Sequence, residues 1–102
     1  MKKEGGNGSA PKFNYLHYNN RGVFYKNRGL YTKAIEQYEK AISLNPKFDN
    51  GYYNLGSVYY EIGKFDEAFK KWKRGLTINK ENDLIKKSLK KLLPLLKVSG
   101  RN

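Results

Sequence analysis

The twelve residues YNNRGVFYKNRG (18–29) return 34 positions later as YYNLGSVYYEIG (52–63). In that register Tyr18 falls on Tyr52, Gly22 on Gly56, Tyr25 on Tyr59 and Gly29 on Gly63; further along, Ala34 falls on Ala68 and Asn45 on Asn79. Where identity lapses, size class holds: Tyr31 meets Phe65, Tyr38 meets Trp72, and Ala41 meets Gly75. Tyr, Gly and Tyr at i, i+4 and i+7 share one face of a helix. A glycine inside a helix costs about 1 kcal/mol relative to alanine, so its return at both places predicts close approach of a neighbouring backbone. The second half of each copy, Ala34, Tyr38 and Ala41 or Ala68, Trp72 and Gly75, sets small residues around an aromatic at the same helical spacing.

Between the halves, Arg28-Gly29 and Ile62-Gly63 end a helix with the residue that tolerates positive φ. Thr32 and Asp66 are the expected N-caps of the helices that follow. Asn45-Pro46 closes the first copy, because proline disfavours a helical conformation in the residue before it, and Asp49 is placed to cap the next helix. Each copy therefore reads as an antiparallel helical hairpin.

This pattern resembles the tetratricopeptide repeat, a 34-residue helix-turn-helix unit. Its signposts are Tyr18, Gly22, Tyr25, Ala34, Tyr38, Ala41 and Pro46 in the first copy, and Tyr52, Leu55, Gly56, Tyr59, Ala68 and Trp72 in the second. Two positions depart from it. Arg21 stands where the second copy has Leu55, as suits an N-terminal unit with less to pack against or one that has lost a preceding segment, and Lys80 stands where Pro46 closes the first. The resemblance implies an all-α fold: a right-handed superhelical stack of two antiparallel hairpins with a fifth, capping helix. Residues 1–12 read as a disordered lead, 13–48 as the first unit, 49–82 as the second, 83–98 as the cap and 99–102 as a flexible tail.

In the cap, Ile85, Leu89, Leu92 and Leu96 recur at i, i+4, i+7 and i+11, with Lys86, Lys87, Lys90 and Lys91 largely off that stripe. A repeat stack leaves the apolar side of its last unit open, and such a helix covers it. Asp83 is its expected N-cap. Pro94 should kink or stop the helix near Leu93. Two units plus a cap make a small core, so a weak or conditional homodimer is expected as well.

The chain has 102 residues, enough for one small domain. It has no cysteine and one histidine, His17, which excludes a disulfide framework and leaves no metal cage to assemble. No cofactor is implied. The apolar runs, such as the leucine pairs around Pro94, fall far short of the roughly 20 residues of a membrane span, so no membrane partner is read. Glu4-Gly5-Gly6-Asn7-Gly8-Ser9 follows the first lysines where an export signal would need an apolar stretch, and the expected location is the cytoplasm. Gly5-Gly6-Asn7-Gly8 lacks the Gly-Lys-Ser/Thr ending of a phosphate loop, and His17 has no recognisable triad partners. No enzyme is read.

The net charge of +12 divides as +2 over residues 1–14, +4 over 15–48, +1 over 49–82 and +5 over 83–102. The basic end invites acidic partners. In the family, the first helix of each unit lines a concave groove that receives a peptide. Carried over by position, that groove presents Asn19, Val23 and Lys26 from the first unit. Tyr53, Asn54, Ser57, Tyr60 and Glu61 come from the second, and Lys87 and Lys91 from the cap. The function implied is a non-catalytic adaptor that binds an acidic or polar peptide or helix. The rivals are RNA binding through the basic surface and C-terminal helix, and a self-assembling structural repeat. One subclass of the family clamps the C-terminal carboxylates of chaperone tails with paired cations and asparagines. Here those positions read Asn19, Val23, Asn54, Leu84 and Ser88, where only Asn54 matches, and chaperone tails are set aside on that ground.

Overall fold

The computed structural model describes residues 13–98. The lead expected over 1–12 and the tail over 99–102 lie outside the described residues. Five helices follow one another: α1 (Tyr15–Asn27), α2 (Tyr31–Leu44), α3 (Asp49–Glu61), α4 (Phe65–Ile78) and α5 (Asp83–Val98). Among the described residues there is no strand. α1 and α2 form the first hairpin, α3 and α4 the second, and α5 packs on α4.

The turns inside the hairpins share one construction. Gly29 and Gly63 have φ of +74° and +81°, the left-handed region that glycine enters without steric cost. This lets the Leu30 N–H donate to the Tyr25 carbonyl at 2.9 Å and the Lys64 N–H to the Tyr59 carbonyl at 2.8 Å. Two carbonyls that the helix end would strand are thereby satisfied. The carbonyls of Leu30 and Lys64 then open the next helix by accepting from Ala34 and Ala68, both at 3.0 Å. Because the backbone closes the turn this way, α2 and α4 begin without any side-chain cap. Thr32 and Asp66 therefore lie within the first turn rather than at its head, where Asp66 still suits the helix dipole. Asp49 and Asp83 likewise are first helical residues and not caps. At α5 the capping oxygen belongs to Asn82, whose Oδ1 accepts from the Ile85 N–H at 3.0 Å.

The core lies along the helix crossings. Ala34, Tyr38, Leu55 and Val58 join the two hairpins; Ala68, Trp72, Ile85, Leu89 and Leu92 join the second hairpin to α5. The glycines of the repeat explain the fit, in a different way from the one the spacing implied. A Cβ on Gly22 would run into the Tyr38 ring, and one on Gly56 into the Trp72 ring. The notch in each first helix thus receives an aromatic ring of its own hairpin, not a neighbouring backbone. The flanking tyrosines acquire a repeated partner too: the Lys40 ammonium lies 5.8 Å from the Tyr18 ring centre, and in the second unit the Arg74 guanidinium lies 6.0 Å from that of Tyr52.

Charged residues enter the packing register at both ends of the stack. α3 turns Leu55 and Val58 to α2, and α5 turns Leu89 and Leu92 to α4; at that register α1 has Arg21 and Phe24. Arg21 is held within the first unit, donating to Gln37 Oε1 at 3.2 Å and to the Tyr25 hydroxyl at 3.1 Å. At the other end Lys86, Lys90 and Leu93 of α5 occupy the Tyr-Gly-Tyr positions on which each earlier hairpin folds its second helix. α5 also continues through Pro94 to Val98 rather than ending near Leu93. The bond that proline removes would have gone to the Lys90 carbonyl. Lys90 and Pro94 are both exposed, so water can serve that carbonyl, while Leu95 and Leu96 pack against the core on the opposite side.

Candidate functional site

α1, α3 and α5, the first helix of each hairpin and the cap, lie side by side along one flank of the stack. Asn54 Nδ2 donates to Asn19 Oδ1 at 2.6 Å and pins α3 to α1. At the N-terminal end of α3 a second polar knot ties it to α5: Asn79 and Asn82 donate to Asp49 Oδ2 at 2.9 and 2.8 Å, and Asn82 also donates to Asn50 Oδ1 at 2.9 Å. Burial by itself would raise the Asp49 pKa. The amides of Asn82 and Asn79 and the backbone N–H groups of Asp49 and Asn50 outweigh it and hold the carboxyl below its ordinary value.

Further along α3, Tyr53, Ser57 and Tyr60 follow one another on a single face. The Tyr53 carbonyl accepts from the Ser57 hydroxyl at 2.9 Å and from the Trp72 indole N–H at 3.0 Å. The Tyr60 ring is wedged between Phe65, 5.4 Å away, and Trp72, 5.9 Å away. These residues floor a cavity of about 170 Å³ whose walls are Lys26 of α1, Glu61 of α3, and Ser88 and Lys91 of α5. Small-molecule and cofactor sites run to roughly 300–1,000 Å³. This one has room for a side chain or a carboxylate of a larger partner, with one lysine from α1 and one from α5 in its lining. Among the described residues no group of three or more His, Asp or Glu is placed to hold a metal ion.

Of the residues expected to line the groove, Lys26, Tyr53, Ser57, Tyr60, Glu61 and Lys91 converge on this cavity. Asn19 and Asn54 are engaged with one another, and Val23 is 36% exposed on α1. Lys87 does not join them: it lies with Lys86, Leu89, Lys90 and Leu93 on a separate shallow depression. The sequence reading passed over two wall residues. Trp72 reads from the sequence as packing alone, yet it is part of the cavity lining, and Ser88 reads as a clamp position without its cation. For Ser88 the signal was present in the i, i+3 step to Lys91, which turns a hydroxyl and an ammonium the same way.

A family model described as a TPR repeat matches residues 22–63, and one described as a tetratricopeptide repeat matches residues 50–82. No curated protein matches the chain. Among solved structures, the chain is similar to the first TPR of Spaghetti (RPAP3) bound to the HSP90 peptide SRMEEVD, with a TM-score of 0.77 and 24% identity over 82% of this chain and 67% of that one. That structure overturns the exclusion of chaperone tails: a domain of this same fold holds a chaperone peptide ending in three acids among its last four residues. The exclusion rested on a position-by-position test at Asn19, Val23, Asn54, Leu84 and Ser88. Charge is not bound to those positions. Lys26 and Lys91 stand three residues beyond Val23 and Ser88, one helical turn along, and both reach the cavity.

Proposed function

The chain is a tetratricopeptide repeat protein, and on that footing we propose that it serves in the cytoplasm as a non-catalytic interaction module whose concave flank takes an acidic peptide, chaperone tails included. One observation carries the reading: Lys26 and Lys91, from helices at opposite edges of the flank, line the same small cavity above Tyr53, Ser57 and Tyr60. An ammonium on each side suits a carboxylate entering between them, and hydrogen bonds to charged groups are the strong ones. The tyrosines supply rigid area with a polar tip at small entropic cost. Glu61 on the same wall restricts the choice, favouring a segment that carries a cation beside its acids over an unbroken acidic run.

The test is titration of the full chain with the peptide SRMEEVD and with its Glu-to-Gln counterpart. The expected outcome is binding of the acidic peptide and at least tenfold weaker binding when Lys26 and Lys91 are both changed to Ala. Equal affinity for both peptides, or an affinity untouched by the double variant, overturns the assignment. Replacing Tyr53 and Tyr60 with Ala is a second check: binding should weaken while the helical signal holds.

A further inference from the structure

We propose that the outward face of α5 is an electrostatic docking surface for a bilayer rich in anionic phospholipid. Lys86, Lys87 and Lys90 stand exposed there around Leu93, 47% exposed, and Leu89, which forms the floor of a shallow depression of about 360 Å³. The ion pair on this face is Lys86 with Glu81, at 3.6 Å between two exposed groups. Such a pair is easily exchanged for another anion.

What covers the face follows from the repeat. In the two hairpins the equivalent face receives the second helix, which approaches closely because Gly22 and Gly56 have no Cβ to meet Tyr38 and Trp72. At that register α5 has Lys90, with Lys86 in place of the first tyrosine, so a further repeat helix meets a long charged side chain where it needs a notch. A second copy of this chain brings like charge to the contact at either end, since its α1 end presents Arg21 and Arg28 around the half-exposed Phe24 and its α5 end these lysines. A single-stranded nucleic acid wants aromatic platforms for its bases, and α5 contains no aromatic residue. The face offers lysines only, point charges on flexible stems, without the planar fork of arginine that fixes one phosphate in one geometry. That chemistry fits a two-dimensional array of mobile headgroups, to which basic residues are drawn over about a Debye length. Leu93 adds an apolar side chain at the height of the interface. The contact is superficial: Ile85 and Leu92, the apolar side of α5, stay buried against α4, and no described helix is long and apolar enough to cross a membrane.

The experiment is co-sedimentation of the full chain with extruded vesicles of phosphatidylcholine alone and of phosphatidylcholine with about one third phosphatidylserine, at low and at physiological salt. Binding is expected to the anionic vesicles only and to decline with salt. It should fall roughly fivefold for each lysine removed in the series Lys86→Gln, Lys90→Gln and Lys87→Gln, with unchanged helicity by circular dichroism. The pair Lys47→Gln and Lys70→Gln, which removes two exposed charges elsewhere, should leave binding as it is. Equal binding to neutral vesicles overturns the proposal, as does an equal loss from the Lys47/Lys70 pair, which would reduce the effect to net charge. So does the absence of lipid binding in a chain whose α5 lysines retain a single-stranded RNA oligomer. Lys26→Ala and Tyr53→Ala should bind vesicles normally, so this surface and the peptide cavity stand or fall separately.

Discussion

The two hairpins place different rings in the same notch. Tyr38 fills the first against Gly22 and Trp72 the second against Gly56, and both are buried, yet only the indole finds a partner for its polar atom. Trp72 Nε1 donates to the Tyr53 carbonyl, whereas the Tyr38 hydroxyl is buried with no hydrogen-bond partner, and burial pushes its pKa up to about 12. A buried polar group without a partner costs stability that an apolar isostere would not. The ring gives each hairpin its packing. In the second unit it also fixes the backbone under Tyr53 and contributes an edge to the cavity, so packing and binding are coupled there and separate in the first unit.

The largest test of that difference removes the rings. Trp72→Ala should cost about 3–5 kcal/mol in chemical denaturation and abolish peptide binding, while Tyr38→Ala should cost a similar amount and leave affinity nearly intact in whatever fraction remains folded. Filling the notch comes next. Gly22→Ala and Gly56→Ala gain about 1 kcal/mol in helix propensity but push a methyl into the ring, for a net loss of about 1–2 kcal/mol. The loss should be greater at Gly56, where the indole is tethered and cannot swing aside. Ala34→Leu and Ala68→Leu overpack the same crossings by about 1–3 kcal/mol, and unchanged melting in either would break the register. A smaller effect of opposite sign separates the units: Tyr38→Phe should be neutral or stabilising by about 1 kcal/mol, whereas Trp72→Phe, which removes the indole's hydrogen bond to the Tyr53 carbonyl, should destabilise.

The smallest concerns the joint below each unit. Between the hairpins stands Phe48, its ring 4.7 Å from Tyr15; at the equivalent place before α5 stands Asn82, bonded to Asp49 and Asn50. The Asp49 pKa is depressed in the folded chain below 3.8, so its contribution is complete above that pH and is lost as pH falls through the lower folded value. In thermal melts the gap between the parent chain and Asp49→Asn should narrow in that window and stay constant from mildly acidic to neutral pH.

The register, the five helices and the glycine turns were legible in the sequence because each rests on local spacing: Gly29 and Gly63 end helices by their own conformational freedom. Side-chain caps were misread at Thr32 and Asp66 because the glycine turns already satisfy the backbone, a three-dimensional closure that residue type does not report. The cavity was half legible. Lys26, Tyr53, Ser57, Tyr60 and Lys91 follow from which helix faces inward, but Trp72 enters from the outer helix α4, through the gap that Gly56 leaves, and no pattern along one helix shows that. Lys87 is expected in the groove from helix order; it stands about 40° round the helix from Lys91 and lines the shallow depression with Lys86 and Lys90.

Among the described residues the main interfaces join helices that are neighbours in the chain or one element apart. The search that folding requires is correspondingly short, and folding should be fast for the chain's size. The same arrangement grades resistance to opening. α3 and α4 are flanked on both sides, whereas α1 and α5 each end the array, so amide exchange should proceed inward from the two charged ends and reach the Trp72 hairpin last.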